Sequence, residues 1–157
     1  MATGHDIAMG LRAAYWSMHR QTNARLARYN VTAEQFVLLG LLAEEDGITQ
    51  QELGRRAASD PNTVRAILLL LEGNELITRD PHPEDGRARS VALTAQGRQT
   101  YVQLSKHLKP LQDRLLGLFA ADDADALVKF LGRVSDEMMR LERRRRRAET
   151  AAGNTDR

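Results

Sequence analysis

Apolar positions recur at helical spacing over most of the chain. Across 6–29, Ile7, Leu11, Ala14 and Met18 fall on one stripe and predict an amphipathic helix. Two shorter helices follow, each marked by its start. Thr32 and Gln35 have capping-box spacing with Val31 and Phe36 as a hydrophobic staple, and Thr49 and Glu52 repeat the device with Ile48 and Leu53. Gly47 is expected to end the first of the two. A further helix opens at Asp60 as N-cap, with Pro61 at the first helical position, where its missing N–H costs nothing. Val64, Ile67, Leu68 and Leu71 share its buried face.

The period then shortens. Segments 76–79 and 90–93 read as strands around the Pro-, Asp- and Gly-rich stretch 80–89, which predicts a hairpin with a long loop. From Thr94 the helical period returns, with Tyr101, Leu104, Leu108, Leu111, Leu115 and Leu118 spaced like a coiled-coil seam and Pro110 expected to kink it. A last amphipathic helix over 122–147 uses Leu127, Phe130, Leu131, Val134, Met138 and Leu141. The expected fold is mostly α with a small β-hairpin wing. It has one domain over 1–147, in which a winged helix-turn-helix core (31–94) is flanked by N- and C-terminal dimerisation helices (6–30 and 95–147), and a flexible tail over 148–157. The terminal helices carry more apolar stripe than a small central unit can cover, which points to a homodimer.

Composition narrows the chemistry. The 157 residues are 42% hydrophobic and 28% charged, a globular balance that excludes a disordered or collagen-like chain. The longest apolar run, 66–71, is far short of the roughly 18 to 20 residues of a membrane span, and the first ten residues lack the pattern of a secretory signal. A cytoplasmic protein without membrane contact is expected. With no cysteine there is no disulfide, thiolate metal site or thiol nucleophile. No phosphate-cradling loop, nucleophile elbow or zinc-protease motif occurs, so neither an enzyme nor a cofactor is expected. Net charge is only +2, with the excess after residue 94, where five consecutive arginines occupy 143–147. Nucleic-acid binding must therefore rest on where particular arginines point.

Short helix, tight turn and longer helix followed by a hairpin is the winged helix-turn-helix order. In that arrangement the second helix enters a major groove, and Asn62, Thr63, Arg65 and Ala66 would meet the bases. Asn can bond adenine, Arg can bond guanine, and Ala can touch a thymine methyl. The bland alternative is a two-helix elbow of a small α protein. The hairpin is the more specific signal. Arg79, Asp85, Arg87, Val91, Leu93, Thr94 and Gly97 stand in the register Arg, Asp-x-Arg, strand, Leu-Thr-x-x-Gly, which resembles the wing of the MarR family of winged-helix transcription regulators. The element order resembles that family from the first helix to the last.

The resemblance implies a dimeric repressor or activator whose release from DNA is often controlled by a small aromatic or phenolic ligand. Pro81, Pro83 and Gly86 would stiffen the loop so that Arg87 and Arg89 reach a minor groove, with Arg79 and Asp85 supporting the wing and Asp85 orienting an arginine. A solvated charged loop is the alternative. Two departures stand out. Ala66, Leu69 and Leu70 occupy positions where the family is usually polar or basic, and the family's helix-ending glycine falls at Glu75, so Asn74 is expected to end the helix in the left-handed conformation.

Arg12, Trp16, His19 and Asn23, at offsets of 4, 3 and 4, share a face of the first helix, with Tyr15 beside them. The resemblance implies an effector pocket between this helix and the winged unit. There Arg12 would pair an anionic carboxylate, Tyr15 and Trp16 would flank a ring, and His19 would bond a hydroxyl. Simple packing is the alternative. Asp122, Asp123 and Asp125 suit a helix start better than a metal, and no metal site is expected. Together these residues point to a homodimeric, sequence-specific DNA-binding regulator, a repressor of an inverted-repeat operator in double-stranded DNA released by a small aromatic carboxylate or phenol. The alternatives are a winged-helix protein-interaction module that never binds DNA, and a small-molecule carrier or enzyme using the first helix.

Overall fold

A computed structural model describes residues 1–153. Six helices and three strands follow in the order α1 (Gly4–Leu26), α2 (Ala33–Glu44), β1 (Ile48–Thr49), α3 (Gln50–Arg56), α4 (Pro61–Gly73), β2 (Ile77–Pro81), β3 (Arg89–Leu93), α5 (Ala95–Leu116) and α6 (Ala121–Gly153). A single 3-10 turn, Ala27–Tyr29, follows α1 and ends at Asn30 in the left-handed conformation. The fold is the mostly helical winged helix-turn-helix read from the pattern.

Local chemistry sets most of the boundaries. Thr3 caps α1 in a reciprocal box with Asp6, two residues ahead of the expected start. Thr32 and Gln35 exchange backbone and side-chain bonds of 2.9 and 3.2 Å, completing the box at α2. That helix ends at Glu44 and not at Gly47, which instead turns the chain toward β1 with φ of +77°. At α3 only half the expected box forms. Thr49 accepts the N–H of Glu52, but the Glu52 carboxylate turns away to Arg55 and Arg56.

The end of α4 also differs from expectation. Asn74 has φ of −90°, and the left-handed residue is Glu75 at +59°. Leu76 N–H bonds the Leu71 carbonyl and Glu75 N–H bonds that of Glu72, both at 2.9 Å, which is a Schellman closure with glutamate where glycine is favoured. Buried Leu71 and Leu76 flank it.

The sheet order is β1-β3-β2, antiparallel throughout. Ile77 faces Leu93, Arg79 faces Val91 and Pro81 faces Arg89, so pairing runs two residues further into the hairpin than 76–79 predicts. The third strand, Ile48–Thr49 against Val91 and Ser90, is too short to show a period of its own. Asp46 secures this edge by accepting Leu93 N–H at 3.1 Å and pairing with Arg98.

The described residues divide into two compact units, 1–110 and 111–153. In the first unit, Leu26, Leu38, Leu39, Leu42, Leu53, Val64, Leu68, Leu71, Ile77, Val91, Leu104 and Leu108 make one core. The α1 stripe lies outside it, since Ile7, Ala14 and Met18 are exposed and Leu26 alone of α1 is buried. In the second unit α6 continues to Gly153. The stretch 148–153 is therefore helix and not the expected tail, while 154–157 lie outside the described residues. Leu127, Phe130, Leu131, Met138 and Leu141 are exposed along it.

Candidate nucleic-acid interface

The start of α4 is held by Asp60, whose Oδ1 accepts the N–H groups of Asn62 and Thr63 at 3.0 Å each. Its other oxygen takes the Thr63 hydroxyl. That hydroxyl bond, then the backbone bond from Thr63, holds the Asp60 carboxyl below the usual carboxylate range. Asn62, Thr63, Arg65 and Ala66 are all exposed, while Val64, Leu68 and Leu71 fix the opposite face in the core. The four expected readers thus share one solvent-facing side, with the Thr63 hydroxyl spent on the cap. Arg65 has no ion-pair partner among the described residues, whereas Arg55 and Arg56 on α3 are both paired with Glu52.

The wing tip spans 82–88. His82 N–H bonds the Ala88 carbonyl at 2.9 Å, and Ala88 N–H bonds that of Asp85 at 3.0 Å. Asp85 Oδ1 accepts the backbone N–H of Arg87 at 3.0 Å. Asp85 was expected to orient an arginine side chain. It fixes the backbone of Arg87 instead, because a short aspartate two residues back reaches an N–H more readily than a guanidinium. Arg87 and Arg89 are exposed, and their side chains have no partner among the described residues. Arg79 differs from both. It is 17% exposed in its side chain and donates from Nε to Glu72 at 2.9 Å, tying β2 to α4. Nothing in a spacing of seven residues across a helix end marks Glu72 as that partner.

The four α1 residues do not share one cavity. Arg12 and Trp16 line a concavity of about 340 Å³ with Ala13, Ser17 and Arg20, all from α1 itself. Tyr15 and His19 turn to α2, where Tyr15 donates to Glu34 at 3.2 Å and His19 Nδ1 lies 3.7 Å from the same oxygen. Their rings stack at 5.6 Å. Desolvation first, then the Glu34 charge, pushes the Tyr15 phenol up. A helix turn separates Arg12, Trp16 and Arg20, so Arg20 was within reach of the pattern; Glu34 was not. Among the described residues no group of three or more His, Asp or Glu side chains could hold a metal, and no helix is long and apolar enough to cross a membrane. Of the arginine run, Arg145 and Arg146 pair with Glu142.

Comparison with known proteins gives a consistent picture. The sequence profile of the MarR family matches residues 31–88, from the start of α2 through the wing tip. An HTH-type transcriptional repressor of Mycobacterium tuberculosis is 24% identical over 117 residues, 74% of this chain and 84% of the relative. The structure of the transcriptional repressor CouR bound to a 23-mer DNA duplex superposes with a TM-score of 0.72 at 26% identity, covering 86% of this chain and 99% of that one. A mutant MarR from E. coli complexed with operator DNA gives 0.73 at 25% identity, covering 82% and 92%.

Proposed function

Because the chain belongs to the MarR family of transcriptional regulators, we propose that it acts as a homodimeric, sequence-specific DNA-binding repressor, released from its operator by a small aromatic ligand. The observation that carries DNA binding is the pairing of two exposed edges on one rigid scaffold. The outer side of α4 offers Asn62, Arg65 and Ala66, and the wing tip offers Arg87 with its backbone locked and its guanidinium free of protein partners. Cations tied up in ion pairs, such as Arg55, Arg56 and Arg79, serve the fold. Those left unpaired, Arg65, Arg87 and Arg89, are available to phosphate or base. The structures of CouR and E. coli MarR on DNA duplexes support the same use of the fold.

The dimer is supported by the apolar residues that α1 and α6 each leave in solvent. Two recognition helices related by a dyad enter successive major grooves, so the operator is an inverted repeat with half-sites about 10 to 10.5 base pairs apart. The ligand reading rests on Arg12 and Trp16 lying one turn apart beside a shallow depression on α1, a cation and an indole that would suit a carboxylate and a ring.

Selection of bound duplexes from random DNA tests the core of the proposal. An inverted repeat is expected, bound with a steep salt dependence that Arg87→Ala reduces by about one counterion while leaving the melting behaviour intact. An asymmetric single site overturns the dimeric reading, and salt-independent association overturns DNA binding. Titration of hydroxybenzoates and cinnamates against Trp16 fluorescence tests the ligand, with Arg12→Ala expected to abolish the response.

A further inference from the structure

The outer face of α4 carries an apolar strip that its own fold does not use. Asn62, Ala66, Leu69 and Leu70 stand at i, i+4, i+7 and i+8, on one side of the helix. Leu69 is 51% exposed and Leu70 59%, on an element whose opposite side contributes Val64, Leu68 and Leu71 to the core at 1% exposure or less. Arg65 borders the strip, and the one acidic residue of α4, Glu72, is spent on Arg79. The result is an apolar surface beside unpaired positive charge, with no carboxylate left free on the helix. A major groove has the matching arrangement. Phosphates line its walls, and the apolar group on its floor is the 5-methyl of thymine.

We propose that α4 reads its half-site chiefly through thymine methyl groups packed against Ala66, Leu69 and Leu70, with Asn62 meeting an adenine at the start of the strip. The inference rests on the DNA-binding reading above and adds the class of base recognised. It makes the half-site rich in A·T pairs. It also makes sequence discrimination depend on apolar contact, with phosphate neutralisation left to the arginines. Methyl burial releases no counterions, so affinity and salt slope respond to different residues.

The test uses the full chain and the duplex recovered by selection, with each half-site thymine replaced in turn by deoxyuridine. This exchange keeps every hydrogen-bonding group and removes only the methyl. Each contacted thymine is expected to lose about three- to fourfold in affinity, the worth of one buried methyl, with the salt slope unchanged. The double variant Leu69→Gln with Leu70→Gln, both at exposed positions, is expected to shrink the difference between thymine and deoxyuridine duplexes. The deoxyuridine series on the parent protein decides the question even if that variant fails to fold. Equal affinity for every deoxyuridine duplex, with a normal salt slope, overturns methyl readout and leaves DNA binding standing. Failure to recover any duplex, with no salt-dependent binding, overturns both and assigns the strip to a protein contact.

Discussion

Gly97 is required for a reason no helix propensity contains. A Cβ added there would meet the Leu76 carbonyl oxygen at 1.9 Å and its carbon at 2.9 Å, both backbone atoms that cannot swing away. The close approach is enforced locally. Thr94 N–H bonds the Leu76 carbonyl at 3.1 Å, and Thr94 Oγ1 both donates to the Glu75 carbonyl at 2.7 Å and accepts Gly97 N–H at 2.9 Å. Gly97→Ala is expected to cost at least the roughly 1 to 3 kcal/mol of an overpacked core, read from the urea midpoint. The opposite sign is expected at the end of α4. Glu75 occupies the left-handed C′ position at a conformational cost of about 1 to 2 kcal/mol. Glycine gives back roughly 0.5 to 1 kcal/mol of that through its freer unfolded state. Glu75→Gly should therefore raise stability by about 0.5 to 1 kcal/mol, measured by thermal or urea unfolding.

At the scale of elements, the Asp60 cap at the start of α4 ties stability to the proposed DNA-binding face. Removing Asp60 orphans two N–H groups and the Thr63 hydroxyl at once. Asp60→Ala is expected to lower the urea midpoint of unfolding, and to weaken duplex binding beyond that loss of stability by letting Asn62 and Thr63 fray. Helix α3 carries a pH dependence. Bonds from Arg55 and then Arg56 hold the Glu52 carboxyl at about 2, down from 4.5. A depressed carboxylate contributes stability that is fully present above its unfolded value and is lost as pH falls toward its folded one. The stability difference between the parent and Glu52→Gln is therefore expected to be greatest above pH 4.5 and to vanish toward pH 2, followed by urea unfolding at stepped pH. Because the group is exposed, high salt should shrink the difference.

Each of the two units leaves apolar residues in solvent, which is the basis of the proposed dimer. In the first unit Ile7, Met9 and Met18 lie in solvent along α1; in the second, Phe130, Leu131, Met138 and Leu141 do so along α6. Sedimentation equilibrium is expected to give twice the chain mass of 17.6 kDa. Phe130→Asp is expected to shift it toward the monomer and to weaken the concentration dependence of the melting temperature that a dimeric parent shows. A monomeric parent at micromolar concentration would remove the basis for a symmetric operator.

What the sequence determined by itself was the content that acts within about a turn of chain. The Thr32 and Gln35 box and the Asp60 cap with Pro61 behind it rest on contacts between near neighbours and were legible. The buried face through Val64, Leu68 and Leu71 and the hairpin were legible from helical period and turn residues, although the contacts that realise them reach across the fold. Where two local partners compete, the pattern misleads. Glu52 sits at box spacing from Thr49, yet two guanidiniums one turn on outbid a backbone N–H. Tertiary structure alone decided which long-range groups meet. It joined Arg79 to Glu72, brought Tyr15 and His19 to Glu34 and away from Arg12, and paired Ile48 with Val91 across 43 residues. The left-handed residue falls at Glu75 and not at Asn74 for a local reason, since the Schellman bonds from Glu75 to Glu72 and from Leu76 to Leu71 require it one position beyond the cap. The long-range cases share one physical reason. Caps and periodicity are encoded in adjacent residues, whereas a partner seven or forty residues away is chosen only when packing has brought both backbones within reach and closed off the alternatives.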